Sequence, residues 1–249
     1  MPAFSVVDQG YGSTDTSTTD PETWTITMPG GASVGDWMVL SVYGGYGYNT
    51  ADSRFTDVFT TGTATIAGAF GRITDLSDVT FTTAGSPLMP ALAFLTILSS
   101  SGILSVVSWD HELFTGSPPT TTVVDTSTPG QSTATDVLVW LTNVSATDVP
   151  RTPGTDADYT SLATDGGEDS DANKYALRLW EWHGSAGAPD LTSTDPGTGV
   201  TERSRLFLSL TSTPLSTGHT YLRQHQSPVM APSRVRPIDL RRRQTPRIT

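Results

Sequence analysis

The fold is decided most clearly by residues 36–45, which read DWMVLSVYGG. Residues Trp37–Tyr43 are apolar except for Ser41, and two glycines follow them directly. A short, almost continuous apolar run that is bounded by turn residues is typical of a β-strand covered on both faces. The stretch therefore predicts a buried strand rather than a helix.

Shorter runs of the same kind recur on both sides of this stretch. Residues 23–28 alternate threonine with Trp24, Ile26 and Met28, which predicts a strand with one buried face and one wet face. Nine or ten such strands, separated by Gly, Pro, Asp and Ser/Thr clusters, favour an all-β antiparallel β-sandwich that resembles a jelly roll. The further predicted strands are Ile66–Ile73, Val79–Thr82, Ala91–Leu98, Ile103–Trp109, Val137–Leu141, Tyr159–Ala163, Tyr175–Trp182 and Leu206–Leu210.

The composition excludes several classes of protein. The 249 residues include no cysteine, so a disulfide framework, a thiolate metal site and a cysteine nucleophile are excluded. Charged residues make up only 16%, which argues against coiled coils and helical bundles. Residues 89–107 are apolar, but Pro90 and the turn at Ser99–Gly102 interrupt them, so we expect strand, turn and strand rather than a membrane span. The first ten residues lack the features of a signal peptide.

Charge divides the chain near residue 218. Residues 1–218 carry 24 acids and 7 bases, a net of −17, whereas residues 219–249 carry seven arginines and Asp239, a net of +6. The second segment also holds four prolines, which forbid a long helix or a central strand. We therefore predict a β-sandwich body over residues 1–218 and an extended, irregular C-terminal arm over residues 219–249. The arginines of the arm are Arg223, Arg234, Arg236, Arg241, Arg242, Arg243 and Arg247.

The arm has three candidate roles: binding nucleic acid through phosphates, docking on an acidic protein surface, or none. Apolar residues such as Ile238 and Leu240 lie between its arginines and prolines. Such side chains suit a protein groove, whereas a nucleic-acid tail more often combines Lys and Arg with Gly and Ser. We expect the arm to become ordered against neighbouring protein chains, and nucleic acid to be an unlikely partner.

Candidate binding and catalytic features are sparse in the body. Tyr43, Tyr46 and Tyr48 alternate with glycines and form a possible recognition loop for sugar rings or protein. The acidic stretch Asp165–Asp171 offers carboxylates for calcium, but without the spacing of an EF-hand, and a solvated hairpin loop is the favoured interpretation. Asn143 begins a formal glycosylation sequon.

Three further features are candidates for catalysis. Residues 31–35 fit the G-x-S-x-G pattern, but they lead into a predicted strand instead of a helix, so a nucleophile elbow is not expected. His111 and His183 each end a predicted strand beside acidic residues, and for both a structural role is favoured. No metal or cofactor is predicted.

A weak internal similarity links the two parts of the body. The stretch from Asp36 resembles DVLVWLTNVS from Asp136, and Ile66–Ile73 resembles Tyr175–Trp182. Either the sandwich is duplicated, or two strands follow the same rules.

Residues from about 24 to 213 resemble the β-sandwich modules of minor tail proteins in tailed bacteriophages of actinobacteria. The resemblance rests on TWTITMPGGASVGDWMVLSVYGG (residues 23–45), RLWEWHG (178–184) and RSRLFLSL (203–210). A single lysine, Lys174, with abundant Thr, Arg, Gly and Pro also fits a GC-rich phage genome. The resemblance implies a virion structural role and no catalytic residues; the arginine-rich arm is not part of the module.

These observations predict a non-enzymatic virion protein, assembled in the host cytoplasm, whose arm anchors it to other virion proteins and to copies of itself. A capsid decoration protein is one alternative. A receptor- or carbohydrate-binding tail module that uses the tyrosine loop for a host surface glycan is another, and a glycan hydrolase with two carboxylates is a third.

Overall fold

The described part of the chain is all-β, as predicted, and its strand pairs are antiparallel. A computed structural model describes residues 2–13, 22–43, 47–61, 65–84, 92–115, 121–123, 136–145, 157–168, 174–184, 187–189, 191–194 and 202–215. Met1–Leu215 forms one compact unit. The predicted arm, residues 219–249, lies outside the described residues, as does the boundary at residue 218.

Fifteen strands are present among the described residues. The strands are β1 (Ser5–Ser13), β2 (Glu22–Ile26), β3 (Trp37–Tyr43), β4 (Gly47–Ala51), β5 (Phe55–Thr61), β6 (Thr65–Arg72), β7 (Val79–Ala84), β8 (Leu92–Ser99), β9 (Gly102–Thr115), β10 (Thr121–Val123), β11 (Asp136–Ser145), β12 (Thr160–Glu168), β13 (Lys174–His183), β14 (Thr192–Thr194) and β15 (Glu202–Pro214). Five of the fifteen were not predicted from sequence: β1, β4, β5, β10 and β14.

Two five-stranded layers form the centre of the body. The first is part of an eight-stranded sheet and has the order β1-β8-β3-β6-β5, with β4 also pairing with β6; the second is a complete five-stranded sheet with the order β9-β15-β11-β13-β12. The predicted strand Trp37–Tyr43 is β3, and it lies between β8 and β6. Its residues 37–42 are all buried, so the prediction of a strand covered on both faces is confirmed.

The main hydrophobic core lies between these two layers. Val39, Phe94 and Leu98 of the first layer pack in one cluster with Leu138 and Leu206 of the second. One polar link is buried there, because the Trp140 indole N–H donates to Thr96 Oγ1 at 3.1 Å. Alternation along each strand sends every second side chain into this core.

The opposite faces of both layers are covered as well. In the first half, β7 and β2 continue the sheet from β4. Ile26 and Phe81 of β2 and β7 pack with Leu40 and Leu95 from the outer face of the first layer. In the second half, Ala188 and Leu191 pack with outer-face residues of the second layer, among them Val139, Trp180 and Phe207. The central strands are therefore apolar on both faces, which is why their sequences read as continuous runs.

The two halves of the body have the same strand order. The pairs β1–β8, β8–β3, β3–β6 and β6–β5 correspond to β9–β15, β15–β11, β11–β13 and β13–β12. The outer pair β2–β7 corresponds to the ribbon β10–β14, and β4 is the one described strand of the first half that has no counterpart. The order of the strands along the chain is also the same, so the topology is that of an internal repeat.

A shared irregularity fixes the correspondence residue by residue. Val7 is an extra residue in β1, between the pairs Val6–Leu98 and Asp8–Ile97. Val107 is likewise extra in β9, where Val106 pairs with Leu210 and Ser108 with Ser209. The sequence around both bulges is Ser-Val-Val, at residues 5–7 and 105–107.

The similarity seen in sequence thus links the right strands, β3 with β11 and β6 with β13. Between β3 and β11, however, its register is wrong by one residue. Met38 lies opposite Ile97 and Val137 lies opposite Ser209, so Met38 corresponds to Val137. The sequence comparison matched Asp36 with Asp136, which would exchange the core face and the outer face of the strand.

Candidate functional site

The binding residues that the sequence predicts lie mostly outside the described residues. This holds for Tyr46 and for every residue of the arm, including Ile238 and Leu240. Tyr43 ends β3 and Tyr48 lies in β4, but the structure does not describe their side chains. Binding by the tyrosines and by the arm remains a prediction.

Three other sequence candidates can be placed. Asn143 is buried in β11 and accepts a hydrogen bond from Arg203 Nε at 2.8 Å, so it is not accessible to a glycan. Ser33 lies in an exposed turn that leads into β3, as expected, and not into a helix. Asp165–Glu168 belong to β12 and pair with β13, so this part of the predicted acidic loop is strand. Residues 169–171 lie outside the described residues.

The best-defined polar cluster joins Asp136, Glu181 and His183 at one end of the second layer. His183 Nδ1 lies 2.6 Å from Asp136 Oδ1, and its Nε2 lies 3.2 Å from Glu181 Oε2. Both contacts are ion pairs when the ring is protonated, and all three side chains are mostly buried. The imidazole ring of His183 therefore lies between two carboxylates.

The strand register explains why these residues meet. Asp136 is the first residue of β11 and His183 is the last of β13, so antiparallel pairing puts them opposite each other. Glu181 lies two residues before His183 and therefore points to the same face. The sequence alone places Glu181 and His183 on one strand, but it does not show that Asp136 lies beside them, because it does not say which strand pairs with β13.

The N-terminal residues pack on the same cluster. The Ala3 backbone N–H donates to Asp136 Oδ1 at 2.9 Å, and Ser100 Oγ donates to the Ala3 carbonyl at 2.7 Å. The Phe4 ring contacts the His183 ring edge-on, with centroids 4.8 Å apart. The cluster thus ties the start of the chain to both layers.

A cavity of about 360 Å³ opens beside this cluster. Asp136 lines it together with Pro2, Ala3, Pro214 and Leu215, which is the last described residue. The cavity therefore lies where β15 ends and where the sequence continues toward the predicted arm.

The electrostatics of His183 favour its charged form. Burial alone would lower the pKa of His183, but hydrogen bonds to Glu181 and Asp136 and their negative charges outweigh burial and raise it above its ordinary value. Both ring nitrogens face carboxylates, so the ring has no free nitrogen to act as a general base. The arrangement suits a structural link between β11 and β13, here called the His183 clamp, better than a catalytic site.

The second histidine candidate, His111, has the opposite character. Its Nε2 lies 3.2 Å from Ser204 Oγ, and burial lowers the pKa of His111 despite the charge of Asp110. Ser204 is buried on the strand that carries Leu206 into the core. This serine and histidine pair is thus part of the packing between β9 and β15.

Several cations of the body are used internally. Arg54 is buried and donates to both carboxylate oxygens of Asp52, at 2.8 and 2.6 Å, and to the carbonyls of Asp75, Ser77 and Asp78. Arg205 is buried against Asp110 and Glu112. These arginines neutralise carboxylates inside the fold and leave exposed ones, such as Asp57, on the surface.

The described residues contain neither a candidate metal site nor a candidate membrane-spanning helix. No set of three or more His, Asp or Glu side chains there is arranged to hold a metal ion. No helix in that part of the chain is long and apolar enough to cross a membrane.

Comparison of the whole chain with protein-family models, with curated proteins and with solved structures finds no match.

Proposed function

We propose that this chain is a structural component of a tailed bacteriophage virion, a non-enzymatic minor tail protein. Its β-sandwich body is displayed on the particle, and its C-terminal arm, residues 219–249, anchors it to neighbouring subunits. The observation that carries the proposal is the division of charge: −17 over residues 1–218 and +6 over residues 219–249.

Charge complementarity gives the arm its partner. Arg54 and Arg205 already form ion pairs within the body, Arg54 with Asp52 and Asp75, whereas Asp57 and Asp78 are exposed. A surface of this kind attracts an arginine-rich segment and guides its approach. The prolines of the arm disfavour a helix, so we expect a segment that can lie along a neighbouring surface and bury Ile238 and Leu240.

The architecture of the body supports a structural role. Its two repeated halves bury both faces of both central layers, and two polar groups link separate segments of the chain. His183 is held between carboxylates, and Arg54 ties two turns together. The resemblance of residues 24–213 to minor tail modules supports the location.

Immunoelectron microscopy of purified virions tests this proposal. Antibodies raised against the full chain should label the tail, and mass spectrometry should find the chain in the same particles. Label on the head shell would instead favour the alternative of a capsid decoration protein. Absence of the chain from virions would overturn the virion proposal.

A glycan array distinguishes a receptor-binding or carbohydrate-binding module from a purely structural tail protein. A receptor-binding or carbohydrate-binding module should bind host surface glycans through Tyr43, Tyr46 and Tyr48. Binding that is lost when these tyrosines are replaced by alanine would favour that alternative over a purely structural tail protein.

A further inference from the structure

The strand β9 is the edge of the second layer. Among the described strands it pairs only with β15, so its other edge has no described partner. From Gly102 to Trp109 it carries no charged residue, and Ile103 and Val107 are 44% and 58% exposed. A long uncharged edge strand with exposed β-branched residues is a template for pairing with another strand.

The equivalent strand of the first half is protected at its edge. In β1, Asp8 follows the bulge directly, and its Oδ2 accepts a hydrogen bond from the Gly31 N–H at 2.8 Å. Pro29 lies so close to Gly10 that a Cβ there would be 3.1 Å from the proline ring. In β9 the residue that corresponds to Asp8 is Ser108, and the first carboxylate is Asp110. The two edge strands β1 and β9 thus occupy the same position in the two halves, but only β1 has contacts that protect its edge; the edge of β9 is called the open edge below.

We propose that a second copy of this chain occupies the open edge of β9, by antiparallel pairing centred on Ser105. This register pairs Ile103 with Val107 of the second copy, Leu104 with Val106, and Ser105 with Ser105. Each pair is apolar or a serine pair, so the segment is complementary to itself, as a twofold symmetric contact requires. The bulge at Val107 ends the regular stretch and limits the length of the pairing.

The charge of the surroundings selects this occupant over the arm. A segment without charge gives an arginine-rich arm no carboxylate to bind, whereas it fits an uncharged copy of itself. The two bodies repel each other through their net charge, and salt screens that repulsion. Self-association through β9 therefore strengthens with salt, whereas docking of the arm on a body weakens with salt.

Cysteine crosslinking tests the register directly, because the natural chain has no cysteine. Ser105→Cys is introduced into the full chain, and Ser5→Cys, at the corresponding exposed position of β1, is the matched control. Under mild oxidation with diamide, Ser105→Cys should form disulfide-linked dimers at least about tenfold faster than Ser5→Cys, since directly opposed residues approach disulfide distance. Equal rates for the two variants would overturn the proposal.

Sedimentation at high salt tests the edge without a crosslink. The full chain should dimerise, Val107→Lys should weaken the dimer by about tenfold or more, and Val7→Lys, which adds the same charge at the equivalent bulge, should leave it unchanged. A dimer that Val107→Lys leaves intact would overturn the proposal. This result would not bear on the function proposed for the arm, which is tested in virions.

Discussion

Asp136 and His183 lie opposite each other on β11 and β13, with Oδ1 and Nδ1 2.6 Å apart, where the first half of the body places Trp37 and Arg72. The Arg72 guanidinium lies over the Trp37 ring at 5.7 Å from its centroid. The two halves therefore share a strand order but close the same end of the sheet with different chemistry, an ion pair in one half and a cation–π contact in the other. The ion pair has measurable consequences for stability.

His183 should make the stability of the body depend on pH on the alkaline side. Its folded pKa is raised, so its contribution is complete below the unfolded pKa of about 6.5 and is lost as pH rises through the folded pKa. Urea unfolding between pH 6 and 9, at about one-unit steps, should show a fall in the free energy of unfolding that is smaller in His183→Gln. An equal slope in both proteins would contradict the clamp.

His111 should act on the acid side instead. Its pKa is lowered by burial, so its contribution is present above about pH 6.5 and is lost as pH falls through the folded pKa. His111→Gln should remove part of the acid sensitivity near that pH and leave the alkaline slope unchanged. Each histidine variant thus serves as the control for the other.

Arg54 should be among the most sensitive positions of the first half. Arg54→Lys cannot keep the two bonds to Asp52 together with those to the carbonyls of Ser77 and Asp78, so it should lower the free energy of unfolding by about 3 kcal/mol. Arg72→Lys is the control, because Arg72 is exposed and should cost less than about 1 kcal/mol. If Arg54→Lys and Arg72→Lys lower the free energy of thermal or urea unfolding by similar amounts, the hydrogen bonds of Arg54 do not stabilise the two turns that they join.

Thr96 tests the polar link between the two central layers. Thr96→Val leaves the buried Trp140 indole N–H without its acceptor and should cost about 1–3 kcal/mol. Thr25→Val, on the exposed face of β2, should change stability by less than about 0.5 kcal/mol. Urea unfolding followed by tryptophan fluorescence measures both variants, and equal effects would contradict the role of this hydrogen bond.

The strands β3, β8, β11 and β15, which are buried on both faces, were predicted from sequence, and so were β2 and β9, which each have one exposed face. Trp37–Tyr43 is almost continuously apolar because the core between the layers covers one face and the outer strands cover the other. The unpredicted strands β1 and β5 are more polar: Asp8 and Gln9 lie in β1, and Asp57 and several threonines lie in β5. Bulges interrupt their pairing and break the period-two pattern that marks a strand.

The polar cluster could be predicted only in part. Residues Glu181 and His183 are two apart on one predicted strand, so their shared face follows from sequence. Asp136 lies 47 residues away from His183 along the chain. Its contact depends on the pairing of β11 with β13 and on their register, and neither strand's sequence states which strand lies beside it. If β11 and β13 had been predicted to pair antiparallel, with the first residue of one opposite the last residue of the other, the contact between Asp136 and His183 would have followed.

The central claim, that the basic arm anchors an acidic β-sandwich in a virion, is tested most directly by incorporation. Virions are assembled with the full chain or with a chain that lacks residues 219–249, and the bound chain per particle is quantified by mass spectrometry. Circular dichroism of the purified shortened chain verifies that the body is folded. The account predicts a folded body that is lost from the particles. Incorporation of the shortened chain at the level of the full chain would contradict it.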